Sequence, residues 1–233
     1  MADPKTTASP LPPLLLLLSV TTGLVDAVSV LGLGKVFTAN MTGNIVFLGF
    51  AAAGTPGFTI APYIVALASF LIGALVAGKV GSHLAGQPLR RWLVLAAIIE
   101  AVLFGIAAGV AAWAGPMGIL PETCVFAIIA LTAIAMGFRN ATIRQLKVPD
   151  LTTTVLTLTL TGIAADSHLA GGRNPNIGRR LAAVVAILIG AFLGAILVNR
   201  YGLAIPLVVA GLTVLVGTLA CVRHPVAAEP LRP

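Results

Sequence analysis

Runs of roughly 20 apolar residues, each almost free of charge, recur six times along this 233-residue chain. A run of that length lets an α-helix cross a hydrocarbon core about 30 Å thick. The expected spans are roughly 12–33, 60–80, 92–114, 120–138, 181–198 and 203–222. Charged residues make up only 9% of the chain, against about 25% in a soluble domain. Backbone groups in lipid must be bonded within their own segment, which leaves helices or closed barrels. A barrel strand alternates apolar and polar residues, and neither Leu14–Leu18 nor the stretch 182–198 does. The expected fold is an all-α membrane protein.

Two further apolar segments are too short to cross comfortably. Residues 41–53 follow the polar stretch KVFTAN, and their 13 residues reach about 20 Å as a helix. Residues 151–165, reading LTTTVLTLTLTGIAA, have the same character about 110 residues later. Short, polar-edged segments at matching positions of two halves are a sequence pointer to a transporter's binding site. If both turn back without crossing and the N-terminus is inside, 12 of the 14 Lys and Arg residues fall on the cytoplasmic side, leaving Lys35 and Arg200 outside. If both cross, the better orientation divides the same charges only 8 to 6. The six-span arrangement with cytoplasmic termini follows.

The halves also echo one another. Gly23-Leu-Val-Asp26-Ala27 answers Gly137-Phe-Arg-Asn140-Ala141, and Leu71-Ile-Gly-Ala74 answers Leu188-Ile-Gly-Ala191. Lys35-Val36 leading to Thr42 answers Lys147-Val148 leading to Thr154, and Arg91-Trp92 answers Arg200-Tyr201. Three full spans per half is an odd number, so the second half must be inverted, with one short segment dipping in from each face. The expected organisation is a disordered cytoplasmic tail over 1–11, a first membrane repeat over 12–114, a second over 115–222, and a cytoplasmic tail over 223–233. Leu14–Leu18 has the look of a signal-peptide core, but the apolar run continues to Leu33 and makes a full span.

The net charge of +7 is explained by basic cytoplasmic loops. No Lys/Arg run exceeds two residues and no aromatics interleave, so nucleic acid is not an expected partner. Cys124 and Cys221 fall toward opposite faces and suggest no disulfide.

Candidate chemistry gathers at the short segments. Asn40, Thr42, Gly43 and Asn44 open the first; Asn40 or Thr42 is expected to cap it, and free N–H groups there suit an anion or a dipole's negative end. Thr153, Thr154 and Thr157 lead the second, with Thr153, Thr157 and Thr161 spaced for one helical face. The competing reading is that the hydroxyls bond their own helix carbonyls and the amides join helices. Asp26 lies inside the first span, where a carboxylate suggests a proton carrier, a cation site or a helix-pairing group. Asn140 is its repeat partner. Glu100 is a second buried acid that pairs with a loop Arg or acts in function, while Arg139 and Arg144 are expected to anchor the cytoplasmic interface. Gly105-xxx-Gly109, Gly190-xxx-Gly194 and Ser69-xxx-Gly73 suggest close helix contacts within the chain or across a homodimer. His83, His168 and His224 lack metal-ligand spacing. No phosphate loop, dinucleotide fingerprint or nucleophile set is present, so no cofactor, metal or catalysis is expected.

At Gly23-Leu-Val-Asp26-Ala27-Val-Ser, with Val36-Phe-Thr-Ala-Asn40-Met-Thr42-Gly43-Asn44, the chain resembles the YoaK-type family of bacterial membrane proteins, a domain of unknown function. Ala135-Met-Gly137-Phe-Arg139-Asn140-Ala141 and Thr153-Thr154-Val155-Leu156-Thr157 are similar to that family's second signature. The resemblance covers about 14–222 and implies the bacterial cytoplasmic (inner) membrane, with no reaction. Arg139 departs from the family, which commonly has Gln there.

Three functions fit these features. The first is a small secondary transporter or channel-like permease for a small solute or ion, with Asn40, Thr42, Gly43, Asn44, Thr153, Thr154, Thr157 and Asn140 along the pathway and Asp26 coupling to a proton or cation. The second is a non-transporting membrane protein with an assembly or signalling role. An intramembrane enzyme using Asp26 and Glu100 comes third, because those carboxyls fall toward opposite faces.

Overall fold

A computed structural model describes residues 9–115, 120–146 and 156–228. Regular structure among the described residues is entirely helical. Six helices are long and apolar enough to cross a membrane: α1 (Leu11–Gly32), α3 (Ile60–His83), α4 (Leu89–Ala114), α5 (Glu122–Leu146), α7 (Ile177–Tyr201) and α8 (Ala204–Cys221). Two shorter apolar helices accompany them, α2 (Met41–Ala52) and α6 (Leu156–Ala165). Their 12 and 10 residues reach about 18 and 15 Å, well short of the hydrocarbon thickness. The tail residues 1–8 and 229–233, and the stretch 147–155 that holds Thr153 and Thr154, lie outside the described residues.

The boundaries follow local chemistry. Pro12 sits at the start of α1, where its missing N–H has no helical partner to lose. Gly202, at φ +72°, lets α7 turn directly into α8. One span differs from expectation. The sequence suggested that the fourth span ends near residue 138 with Arg139 at the membrane surface; instead α5 continues to Leu146. Arg139 is 1% exposed in the helix interior, because Glu100 of α4 meets its charge there.

Packing pairs the helices in a regular way. The main contacts are α1 with α7 and α8, α3 with α5, and α4 with α5 and α8, while α2 lies on α3 and α6 on α7. Exchanging α1 with α5, α2 with α6, α3 with α7 and α4 with α8 maps these contacts onto one another. The closest crossings obey the same exchange. A Cβ at Gly23 of α1 would strike the Ile187 carbonyl of α7, and one at Gly190 the Val20 carbonyl of α1. Likewise, Gly73 of α3 meets the Ile134 carbonyl and Gly137 of α5 meets the Phe70 carbonyl. Small residues let helix backbones approach where lipid gives no hydrophobic reason to associate.

The core centres on Phe104, Ile128, Ile129, Met136 and Leu207. Leu71 and Leu75 of α3, and Leu188 and Phe192 of α7, point outward, as suits helices facing acyl chains. Each short helix is fastened to its neighbour. Phe47 of α2 packs on Phe58 and Tyr63, with ring centroids 5.3 and 5.9 Å away. Arg180 of α7 holds Asp166, just past α6, at 2.7 Å.

Candidate functional site

Asp26 of α1 lies one turn beyond Thr22, so both side chains share a face. Opposite them, α5 presents Asn140, whose Nδ2 donates to its own Met136 carbonyl at 2.8 Å. The start of α2 brings Asn40, Thr42 and Gly43 to the same space, and α6 contributes Thr157. Together they line a cleft of about 610 Å³, closed on its apolar side by Phe47, Phe70 and Ile187 among others. Phe70 and Ile187 also carry the carbonyls at the glycine crossings, so close helix approach sets two of the cleft's walls.

The structure thus brings together Asp26, Asn40, Thr42, Gly43, Asn140 and Thr157. Asn44 is not among the lining residues. It is fully buried, and its amide folds back on the preceding loop: the Phe37 N–H donates to Oδ1 at 2.8 Å and Nδ2 donates to the Phe37 carbonyl at 2.6 Å. That reciprocal pair fixes how the chain enters α2. Asn40 occupies the N-cap position but makes no side-chain cap hydrogen bond, so of the two expected alternatives, Asn40 or Thr42, the first does not cap α2. Thr157 lines the cleft, and Thr161, one turn further along α6, is exposed on the same helical face.

Asp26 and Ala39, the latter just before α2, line the same side of the cleft. Among the described residues the Asp26 Oδ1 has no hydrogen-bond partner. Next to the cleft lies a buried polar cluster that the sequence reading did not assemble. Arg139 Nε donates to Glu100 Oε2 at 2.7 Å, and Nη2 lies 2.6 Å from the same oxygen. Its Nη1 reaches α1, donating to Thr21 Oγ1 at 2.9 Å and to Thr22 Oγ1 at 3.4 Å. The guanidinium carbon stands 5.8 Å from the Phe104 ring centroid. Arg139 therefore ties α5 to α4 and α1 instead of anchoring a membrane surface. The sequence offers an acid inside one span and a base just past the expected end of another, with nothing local to join them.

The profile of a family described as "Protein of unknown function (DUF1275)" matches residues 14–220. The chain belongs to the DUF1275 family. It is also similar to the UPF0700 transmembrane protein YoaK of Bacillus subtilis (strain 168), at 36% identity over 157 residues. That alignment covers 66% of this chain and 65% of the relative, so the chain spans just under two thirds of the relative's length. No solved structure matches. This DUF1275 protein is a transmembrane protein, and both stretches that carry the resemblance, around Asp26–Asn44 and around Arg139–Asn140, border the cleft. Among the described residues no group of three or more His, Cys, Asp or Glu side chains could hold a metal. Cys124 and Cys221 are free and buried.

Proposed function

We propose that this DUF1275 protein is a small secondary transporter or channel-like permease of the bacterial cytoplasmic membrane, with both termini in the cytoplasm. The observation that carries this reading is convergence: two helices too short to span the membrane line one polar cleft that also holds an intramembrane carboxylate. Buried ionisable groups at membrane depth are costly, and their usual role is on a substrate or ion pathway. The exchange symmetry of the packing supports two inverted repeats, 12–114 and 115–222, related about the cleft. Such repeats place substrate near the midplane and move it by rocking one half against the other.

In this reading Asn40, Thr42, Thr157 and Asn140 coordinate a small solute, and Asp26 couples its movement to a proton or cation. Thr153 and Thr154, outside the described residues, keep the pathway role that the sequence pattern gives them. Asn44 supports the site by shaping the α2 entrance. The protein is not an enzyme and uses no cofactor. Its partners are the lipid bilayer and the solute, and a second copy packs through Gly105 and Gly109, where an added Cβ would meet nothing within 4 Å among the described residues.

Flux through proteoliposomes tests the reading. A panel of labelled small solutes is offered to vesicles holding wild-type protein, the Asn40→Ala/Thr157→Ala variant, or no protein. The reading expects at least one solute to equilibrate about tenfold faster with wild type, with most of that flux lost in the variant. Equal flux in all three preparations, across the whole panel, contradicts it.

A further inference from the structure

Charge balance inside the membrane narrows the solute class. Well inside the described spans sit three charged side chains: Asp26 of α1, Glu100 of α4 and Arg139 of α5. Arg139 is already matched to Glu100 at 2.6 Å. One negative charge is left, on Asp26, and no Lys or Arg lines the cleft among the described residues. A carboxylate at that depth is tolerated when a cation or proton completes it.

Asp26 also has unused acceptor capacity. A carboxylate offers about four lone-pair sites, and among the described residues nothing donates to this one's buried Oδ1. The remaining lining is mixed. Asn40, Thr42 and Thr157 supply further oxygen acceptors, whereas Phe47, Phe70, Val46 and Ile187 are apolar. At about 610 Å³ the cleft is within the usual range for organic ligands and far larger than a bare ion requires. Aromatic rings lining the same cleft as a carboxylate suit a cation with an apolar body, through ring–cation attraction and contact area.

We propose that the cleft selects solutes bearing an ammonium group on a short apolar body, with Asp26 as counter-ion and Phe47 and Phe70 against the apolar part. This rests on the permease reading and names its substrate class. Carboxylate-bearing solutes are rejected, because they bring a second negative charge to Asp26. Neutral solutes bind more weakly, because they leave Asp26 unmatched.

The test compares n-butylammonium, 1-butanol and butyrate, equal in carbon number, as their chloride or sodium salts where charged. Each is titrated against the purified full chain in a thermal-shift assay, with sodium chloride as reference. Butylammonium is expected to stabilise wild type at concentrations at least tenfold below those needed for butanol. Butyrate should give no shift beyond its sodium, and the butylammonium shift should disappear in Asp26→Asn. If Asp26→Asn does not fold, Asp26→Glu takes its place and must keep the order of cation before neutral solute before anion. Butanol or butyrate matching butylammonium overturns the ammonium class, as does an undiminished shift in Asp26→Asn. A sodium chloride shift as large as the butylammonium shift assigns the cleft to an inorganic cation and overturns it too. Flux of the same three probes separates the two claims. Transport of butanol or butyrate without butylammonium removes only the substrate class, whereas no flux of these probes or of any panel solute removes the permease reading as well.

Discussion

Arg139 of α5 holds Glu100 of α4 at 2.6 Å, in a site where the two side chains are only 1% and 4% exposed. Thirty-nine residues separate them in sequence. The pair joins α4 to α5, and the hydrogen bonds from Arg139 to Thr21 and Thr22 add α1. A buried ion pair is dearest when broken on one side, because the survivor keeps its desolvation cost. Glu100→Gln and Arg139→Gln should each destabilise the protein by about 3–5 kcal/mol. The double variant, which leaves two neutral amides in reach of each other, should lose clearly less than the sum. A double-mutant cycle on denaturation midpoints in detergent checks this; additive losses would show that the two groups do not act as a pair.

The glycines divide into two groups. Gly137→Ala and Gly190→Ala drive a methyl into a facing backbone carbonyl that no rotamer change can move. Each should cost about 1–3 kcal/mol from overpacking. Gly49 and Gly78 face open space among the described residues, so Gly49→Ala and Gly78→Ala should be neutral or stabilise by up to about 1 kcal/mol through helix propensity. Thermal midpoints of the four variants provide the check. Equal losses at all four positions would contradict the crossing geometry.

The asparagines of the first short segment should separate in the same way. Asn44→Ala leaves the Phe37 N–H and carbonyl without their partner in a buried site, and should destabilise by about 2–4 kcal/mol in total for the two bonds. Asn40 lines the cleft and caps nothing, so Asn40→Ala should leave the thermal midpoint within about 0.5 kcal/mol of wild type while reducing solute binding. Comparing stability with ligand-induced shift in both variants tells a structural amide from a coordinating one.

With only 12 residues, α2 should return its chain to the side from which it came. Lys35 precedes it and Thr55 follows it. Lys35→Cys and Thr55→Cys, in a background with Cys124 and Cys221 replaced by Ala, should both react with a membrane-impermeant maleimide added from outside intact cells. Labelling of one from outside and the other only after the membrane is opened would show α2 crossing.

Much of this architecture was legible in the sequence, since length and hydropathy alone decide which segments can live in lipid. The six spanning helices and two short ones appear where apolar runs begin and end. The polar residues around Asp26, Asn40 and Asn140 converge because matching positions in the two halves face one space. What was not legible depended on pairing across the fold. Arg139 looked like a helix terminus because a lone guanidinium cannot stay in lipid, and nothing local reveals that Glu100 stands opposite. The expected end of α5 therefore falls eight residues before Leu146. Asn44 shares a helical face with Asn40 in sequence, yet only the loop path shows its amide closing on Phe37. Thr153 and Thr154 lie outside the described residues.

The measurement closest to the centre of the account is the reach of the cleft from each side of the membrane. Thr157 lines it from α6 and is exposed there. In the background lacking native cysteines, Thr157→Cys is treated with a small charged thiol reagent in right-side-out and in inverted membrane vesicles. A solute pathway through the cleft predicts modification from both sides, slowed by a bound solute. Modification from one side only, or from neither, would mean that the cleft is a closed pocket and that nothing passes through it.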